Sequence, residues 1–295
     1  MPKVSLPAVM LVVPLALALV LSLFAWPAAR LAPRDLPVAV VGQAQLPEGF
    51  DVHRYDDPAA AQQAVREREV YAAVTPGTLY TASAASPAVA QALAPMRPEV
   101  VDLVPAPEDD PRGAALAASL LPLIIAGVIT GAGVVFAARG PWSRLGGLLG
   151  ASALAGLAAV AIAQGWLGAL AGPWPANAGV LALVVLAVGA LVSGLFSLAG
   201  HAGLGAAAAL LVLIGNPWSG MAAAPELLPT FAGVTGQLLP PGAGGTLLRS
   251  TAFFDGHGGG SALVILLAWV AIGALLLVAA ARREPAVAAR TAAAH

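Results

Sequence analysis

The stretch GAALAASLLPLIIAGVITGAGVVFAA (113–138) opens the part of the chain that decides the fold, and the sequence stays almost as apolar as far as residue 281. Between Arg112 and Arg282, the charged side chains are Arg139, Arg144, Glu226, Arg249 and Asp255. A charge at the centre of a bilayer costs ~3 kcal/mol or more. A run of this length with so few charges is therefore typical of several membrane-spanning helices, and it predicts an integral membrane protein surrounded by lipid.

The composition indicates the same class. Hydrophobic residues make up 59% of the chain and charged residues 10%, whereas soluble domains carry about 25% charged residues. The net charge of -1 and the lack of a basic patch with interleaved aromatic residues give no reason to expect a nucleic-acid partner. Because cysteine is absent, disulfides, thiolate catalysis and cysteine-ligated metals are excluded.

The apolar segments predict six membrane-spanning helices, since about 20 apolar residues cross a ~30 Å hydrocarbon core. The predicted spans are residues 4–29, 114–138, 145–171, 178–199, about 203–216, and 261–281. A cleaved signal peptide is the competing interpretation of the first segment. We favour a retained helix, because this apolar run exceeds the about 7–15 residues of a signal-peptide core.

The distribution of basic residues predicts the orientation. With six spans, both termini lie on one side, together with Lys3, Arg139, Arg144, Arg282, Arg283 and Arg290. Short loops rich in Lys and Arg stay in the cytoplasm. We therefore expect a multi-pass protein of the cytoplasmic membrane, with both termini cytoplasmic and residues 31–112 outside.

Residues 1–30 thus form the first span, 31–112 an extracytoplasmic α/β domain, and 113–295 a five-helix domain with a short cytoplasmic tail. Within the α/β domain, Asp57-Pro58 and Ser86-Pro87 each predict the start of a helix, with a capping side chain before a proline. Alternating or apolar runs predict strands at 36–42, 50–55, 70–74, 79–82 and 100–104. The fold class is therefore an all-α membrane bundle of six helices with this domain inserted between helices 1 and 2.

No catalytic, metal or cofactor site is predicted. Asp51 and His53 share one strand face, but a solvated face is the simpler interpretation. A flexible outer loop is likewise the simpler interpretation of Asp255-Gly256-His257, and the charged residues 66–69 are interpreted as the solvated end of a helix. Lys3, the only lysine, does not lie in a phosphate-binding loop, so the chain is not expected to be an ATPase or another enzyme.

Residues 216–260 are apolar but interrupted by proline and glycine every few residues. They include NPWSG (216–220), PELLP (225–229) and LPPGA (239–243), and no piece is long enough to cross a membrane alone. Irregular backbone at membrane depth needs protein or a water-filled cavity to satisfy its polar groups. We therefore expect two short helices that dip into the outer leaflet and return.

This broken segment supplies the candidate substrate path or gate: Asn216, Pro217, Glu226, Gln237 and Arg249. Glu226 and Arg249 are its only charges before Asp255. The hypothesis is that they line or gate an outer exit and can act as a pair. The alternative is that each side chain reaches the membrane interface or caps a short helix.

The layout and the three motifs of the broken segment resemble the YhgE/Pip-like membrane proteins, which are related to the permease subunits of type V ABC exporters. The resemblance implies a dimeric permease that exports a hydrophobic or amphipathic substrate, driven by a separate ATP-binding subunit. That subunit would dock on the cytoplasmic loop containing Arg139, Trp142 and Arg144.

Two departures favour an alternative function. Type V permeases usually carry an amphipathic interfacial helix before the first span, whereas only a few residues precede that span here, and the loop 139–144 is very short. The alternative is a non-transporting membrane protein whose outer domain binds an envelope or phage partner. A secondary transporter is disfavoured, because spans one to four contain no carboxylate or histidine. The pairs Gly127/Gly131 and Gly146/Gly150 are close-packing motifs that fit either internal packing or a dimer face.

Overall fold

The computed structural model describes the backbone of residues 5–292 and the side chains of residues 5–283. Lys3 and the side chain of Arg290, used above for orientation, lie outside these ranges. The helices are α1 (Leu6–Ala28), α2 (Pro58–Arg66), α3 (Pro87–Leu93), α4 (Ala114–Ala137), α5 (Pro141–Val160), α6 (Trp174–Ala208), α7 (Thr230–Gln237), α8 (Pro240–Phe253) and α9 (Gly260–Ala292). The strands are β1 (Leu36–Val41), β2 (Phe50–Tyr55), β3 (Ala72–Val74), β4 (Thr78–Thr81) and β5 (Glu99–Asp102).

Five helices in the described part of the chain are long and apolar enough to cross a membrane, whereas the sequence predicts six. They are Leu6–Ala28, Ala114–Ala137, Pro141–Trp166, Trp174–Gly215 and Gly260–Arg283. The fourth contains two predicted spans and is interrupted at Gly200, whose backbone angles (φ 59°, ψ -143°) are not helical. Just after this break, Gly203 packs against the backbone of Leu195, so the chain folds back on itself. Residues 201–215 extend only about 22 Å at 1.5 Å per residue, shorter than a bilayer core.

The junction between α4 and α5 is shorter than the predicted loop 139–144. Helix α5 begins at Pro141, a favourable first helical residue because its φ is already fixed. Only residues 138–140 separate the two helices, and Gly140 makes the turn with a φ of 78°. Trp142 and Arg144 are therefore on the first turns of α5, and their assignment to a loop was wrong.

The strands between α1 and α4 form one mixed sheet among the described residues, in the order β2-β1-β3-β4-β5. Strand β1 pairs in parallel with β2 and β3, β3 pairs antiparallel with β4, and β4 pairs in parallel with β5. Both predicted caps are present. The Asp57 carboxylate accepts a hydrogen bond from the Ala59 amide (3.1 Å), and the Ser86 hydroxyl accepts one from the Val89 amide (3.2 Å).

The sheet packs on the broken segment through both of its faces. On one face, β1, β3 and α3 enclose a core that includes Ala223, Ala224 and Leu227. On the other, β1 and α2 enclose a core that includes Phe254, which follows α8. Part of the apolar surface of the irregular segment is thus covered by the α/β domain.

Helix α6 lies at the centre of the helical bundle and packs against α4, α5, α8 and α9. Two glycines of α4, Gly127 and Gly131, allow this close approach, because a side chain on either would collide with α6 at Val188 or Gly189. This pair therefore serves internal packing. By contrast, Gly146 and Gly150 of α5 face open space in the described structure.

Helices α7 and α8 lie beside the upper parts of α6 and α9, where "upper" means the end nearest the sheet. The Trp269 indole donates to the Leu238 carbonyl (2.8 Å) about 14 Å down α9 from its start. Near the C-terminal end of α8, the Thr251 hydroxyl donates to Asn177 at the upper end of α6 (3.0 Å). Gly244 packs instead against Val184, about 10 Å further down α6. Helix α8 therefore rises towards the sheet from the level at which α7 ends.

Candidate functional site: cavities around the broken segment

Three cavities within residues 5–283 adjoin the broken segment. The polar cavity, about 300 Å³, lies under the α/β domain and is lined by Arg68, Tyr71, Glu226, Gln237, Thr246, Ser261 and neighbouring residues. The apolar groove, about 380 Å³, is lined by Arg34, Asp35, Pro225, Glu226, Leu228, Val234, Gln237, Leu238 and neighbouring residues. The lateral crevice, about 290 Å³, is lined by Phe24, Ala28, Leu120, Asn216, Pro217, Leu228 and neighbouring residues.

These cavities share lining residues, so they lie side by side along the segment. Glu226 and Gln237 line both the polar cavity and the apolar groove. Leu228 lines both the apolar groove and the lateral crevice. Four predicted site residues, Asn216, Pro217, Glu226 and Gln237, therefore line these cavities.

Arg68 reaches from the α/β domain to α8. It follows α2 with a φ of 59°, a left-handed conformation usually taken by glycine after a helix. Its Nη1 donates to the Thr246 carbonyl (2.7 Å), and its guanidinium carbon lies 5.6 Å from the centre of the Phe254 ring. Burial lowers the pKa of Arg68, while Tyr71 and Glu226 oppose that shift. Arg68 thus has an unusual backbone conformation, and its side chain contacts the broken segment.

Tyr71 connects the α/β domain to Glu226. Its hydroxyl donates to Glu226 Oε2 over 2.8 Å. Burial, together with the negative charge of Glu226, raises the pKa of Tyr71 above its usual range, so the phenol remains a protonated donor. Glu226 is positioned by a short 3₁₀ turn (Pro225–Leu227), whose first residue is proline.

Gln237 holds the two short helices and the preceding loop together. Its Nε2 donates to the Ser219 carbonyl (2.8 Å), and its Oε1 accepts from the Thr246 hydroxyl (2.7 Å). Each end of the amide therefore has one partner from the protein, which fixes the orientation of the side chain. Gln237 lines both the polar cavity and the apolar groove.

Arg249 does not pair with Glu226, contrary to the sequence-based hypothesis of a charged pair. In the described structure the two residues form no ion pair, and Arg249 is only 5% exposed and absent from the linings of the three cavities. Its Nη2 donates to the Met221 carbonyl (2.5 Å). The guanidinium of Arg249 thus satisfies one carbonyl of the irregular backbone inside the protein.

The predicted docking residues lie at the opposite end of the bundle. Trp142 is 78% exposed and Arg139 is exposed, so both offer an unobstructed surface. Arg144 is engaged instead, because it donates to the Ser197 hydroxyl (3.0 Å) and the Ala138 carbonyl (3.2 Å). It joins the lower ends of α4, α5 and α6.

Sequence reasoning missed two features of this region. It interpreted residues 66–69 as a solvated helix end, because neither the left-handed turn at Arg68 nor its contact with Thr246 leaves a local signal. It also passed over Asn177, a fully buried residue that donates to Gln164 (3.0 Å) and the Ala171 carbonyl (2.7 Å). The available signal for Asn177 was an amide next to a long apolar run.

The other polar pairs singled out in the sequence do not form a site. Asp51 and His53 are in contact, with the His53 Nε2 3.0 Å from the Asp51 carboxylate, but both side chains are exposed. No group of three or more metal-ligating side chains occurs among the described residues. Asp255 and His257 are exposed in the turn between α8 and α9.

The fold and the cavities define a class of α-helical protein in which several helices are able to span a membrane. A small mixed-sheet domain packs on the irregular segment that connects the last two of these helices. No family model, curated protein or solved structure matches this chain.

Proposed function

We propose that this chain is a permease subunit related to the YhgE/Pip-like proteins, and that it exports a hydrophobic or amphipathic substrate with a separate ATPase. The observation that supports the proposal is that three cavities lie side by side along the broken segment and share wall residues. The lateral crevice and the apolar groove suit hydrocarbon, while the polar cavity suits a hydrophilic group. An amphipathic molecule needs both kinds of surface next to each other.

In this proposal the chain crosses the cytoplasmic membrane six times, with both termini inside and the sheet outside. Residues 201–215 begin the fifth crossing, and the irregular chain from Asn216 completes it. Helices α7 and α8 are the re-entrant pair, shielded by α6, α9 and the α/β domain. The permease works as a dimer, and the exposed glycines of α5 support a face for close helix packing.

One observation favours the second candidate, a non-transporting protein whose outer domain binds an envelope or phage partner. In the junction between α4 and α5, only residues 138–140 lie outside the two helices. This short junction offers little surface for contact with an ATPase. The exposed indole of Trp142 is the counterargument, because exposed Trp and Arg are the residue types that dominate protein interfaces.

Co-purification in mild detergent tests the proposal. The wild-type chain is expected to elute with an ATPase whose turnover rises in its presence. Trp142→Ala combined with Arg139→Glu is expected to lose the ATPase by at least about 10-fold, since each interface anchor is worth more than ~1 kcal/mol. Trp166→Ala is the matched control, because Trp166 is 79% exposed at the other end of the span Pro141–Trp166.

Wild-type protein that elutes without ATP hydrolysis, from membranes of cells that express its neighbours at natural levels, would contradict the permease proposal and leave the partner-binding function. An ATPase retained equally by wild type and the double variant would contradict the docking surface alone.

A further inference from the structure

The polar cavity is lined by one cation, Arg68, and by two carboxylates, Glu69 and Glu226. Within the described residues, Arg68 forms an ion pair with neither carboxylate. Arg68 uses one nitrogen on the Thr246 carbonyl, and Glu226 uses one oxygen on the Tyr71 hydroxyl. The described structure shows no further hydrogen bond from either group, so a donor edge and an acceptor oxygen remain for a ligand.

The position of the cavity suits a headgroup. Gly258 and Ser261, at the start of α9, form part of its lining, so it lies at the level where that helix reaches the end of its apolar stretch. The neighbouring groove, which shares Glu226 as a wall, is lined by Val234 and Leu238. These two side chains are 59% and 57% exposed on α7, so the groove opens sideways through an apolar surface.

We propose that the polar cavity and the apolar groove bind one amphiphile whose headgroup carries both a phosphate and a primary ammonium group. The phosphate lies on the Arg68 guanidinium, and the ammonium donates to the Glu226 carboxylate. The hydrocarbon runs past Glu226 into the groove beside Val234 and Leu238. A phospholipid with an ethanolamine headgroup has this chemistry.

The charges select this headgroup over its common alternatives. A purely anionic headgroup would satisfy Arg68 but be repelled by Glu226. A quaternary ammonium has no N–H to donate, so it would leave the Glu226 oxygen without a hydrogen bond in a partly enclosed site. A primary ammonium with a nearby phosphate matches both groups at once.

This inference deepens the proposed function, on which it rests for the role of the bound lipid as the substrate. The binding site itself is tested without ATP or a partner. If this headgroup does not bind, the chain could still export another amphiphile, and only the lipid site is contradicted. If no ATPase is found, export is contradicted but the lipid site is not.

The test compares three phospholipids with identical acyl chains, bearing ethanolamine, choline or glycerol headgroups, added to delipidated wild-type protein. Binding is measured by native mass spectrometry and by the shift in melting temperature. The ethanolamine lipid is expected to bind at least about 10-fold more tightly than the other two, because a charge-assisted hydrogen bond is at stake. Equal binding of the three lipids by the wild type would overturn the proposal without any variant.

Glu226→Gln tests the assigned contact, since glutamine still accepts from Tyr71 but lacks the charge. It is expected to bring the ethanolamine lipid to the level of the choline lipid. Glu48→Gln is the matched control, because Glu48 is exposed and lines neither the polar cavity nor the apolar groove. An ethanolamine preference that survives Glu226→Gln at unchanged melting temperature would overturn the role of Glu226.

Discussion

Replacing Gly156 by valine is expected to prevent stable packing of α5 on α6. A β-carbon at Gly156 would lie 2.6 Å from both the Ala178 carbonyl oxygen and the Ala182 amide nitrogen, so the two helices would have to move apart. Because these are backbone atoms, no rotamer change can relieve the contact. Overpacking of this kind costs about 3 kcal/mol or more. The free energy of unfolding in mixed micelles and the monodisperse fraction on gel filtration would both fall.

Gly150→Val is the matched control, six residues earlier on the same helix. No atom lies within 4 Å of a β-carbon at Gly150, so the same substitution is expected to change stability by less than about 1 kcal/mol. If the two valine variants were equally stable, the packing of α5 against α6 described above would be wrong. Loss of dimer with intact monomer stability in Gly150→Val would instead identify this face as the dimer interface.

Reversing the charge at Arg249 is expected to destabilise the protein rather than only to block a gate. Glutamate in that place would remove the donor to the Met221 carbonyl and bury a carboxylate facing a carbonyl oxygen. An uncompensated buried charge costs about 3 kcal/mol or more. We therefore expect Arg249→Glu to insert into the membrane and to unfold at much lower denaturant in mixed micelles.

Two controls separate this effect from charge alone. Arg249→Lys keeps a donor for Met221 and is expected to retain most of the stability. Arg66→Glu makes the same charge reversal on an exposed helix end, where the cost is expected to stay below about 1 kcal/mol. Wild-type stability in Arg249→Glu, together with lost export, would restore the gate interpretation of Arg249.

The elements that sequence reasoning located well are those specified by local chemistry. Apolar length located α1, α4 and α9, and a capping side chain before proline located α2 and α3. Alternation and apolar runs located the strands to within about two residues of the observed ends. In each case the signal lies within the segment itself.

Long-range contacts were predicted less well. The partnership of Glu226 with Tyr71 rather than Arg249 depends on where the sheet sits, 155 positions away in sequence. Arg68 adopts a positive φ although it is not a glycine, and no local sequence pattern predicts this conformation. The start of α5 at Pro141 could have been read from its proline, but the neighbouring arginines outweighed that signal.

In the proposed topology, lipid surrounds the helical bundle, and the sheet and the Trp142 junction lie on opposite sides of the membrane. Because the chain has no cysteine, single cysteines can be introduced at His53, Arg139 and Val188 without removing any others. His53 and Arg139 are exposed, and Val188 is fully buried between α4 and α6. A membrane-impermeant maleimide applied to intact cells with a permeabilised outer envelope is expected to label position 53 only. Position 139 should react after the cytoplasmic membrane is opened, and position 188 only after denaturation. Equal labelling of positions 53 and 139 from one side in sealed membranes would contradict the account.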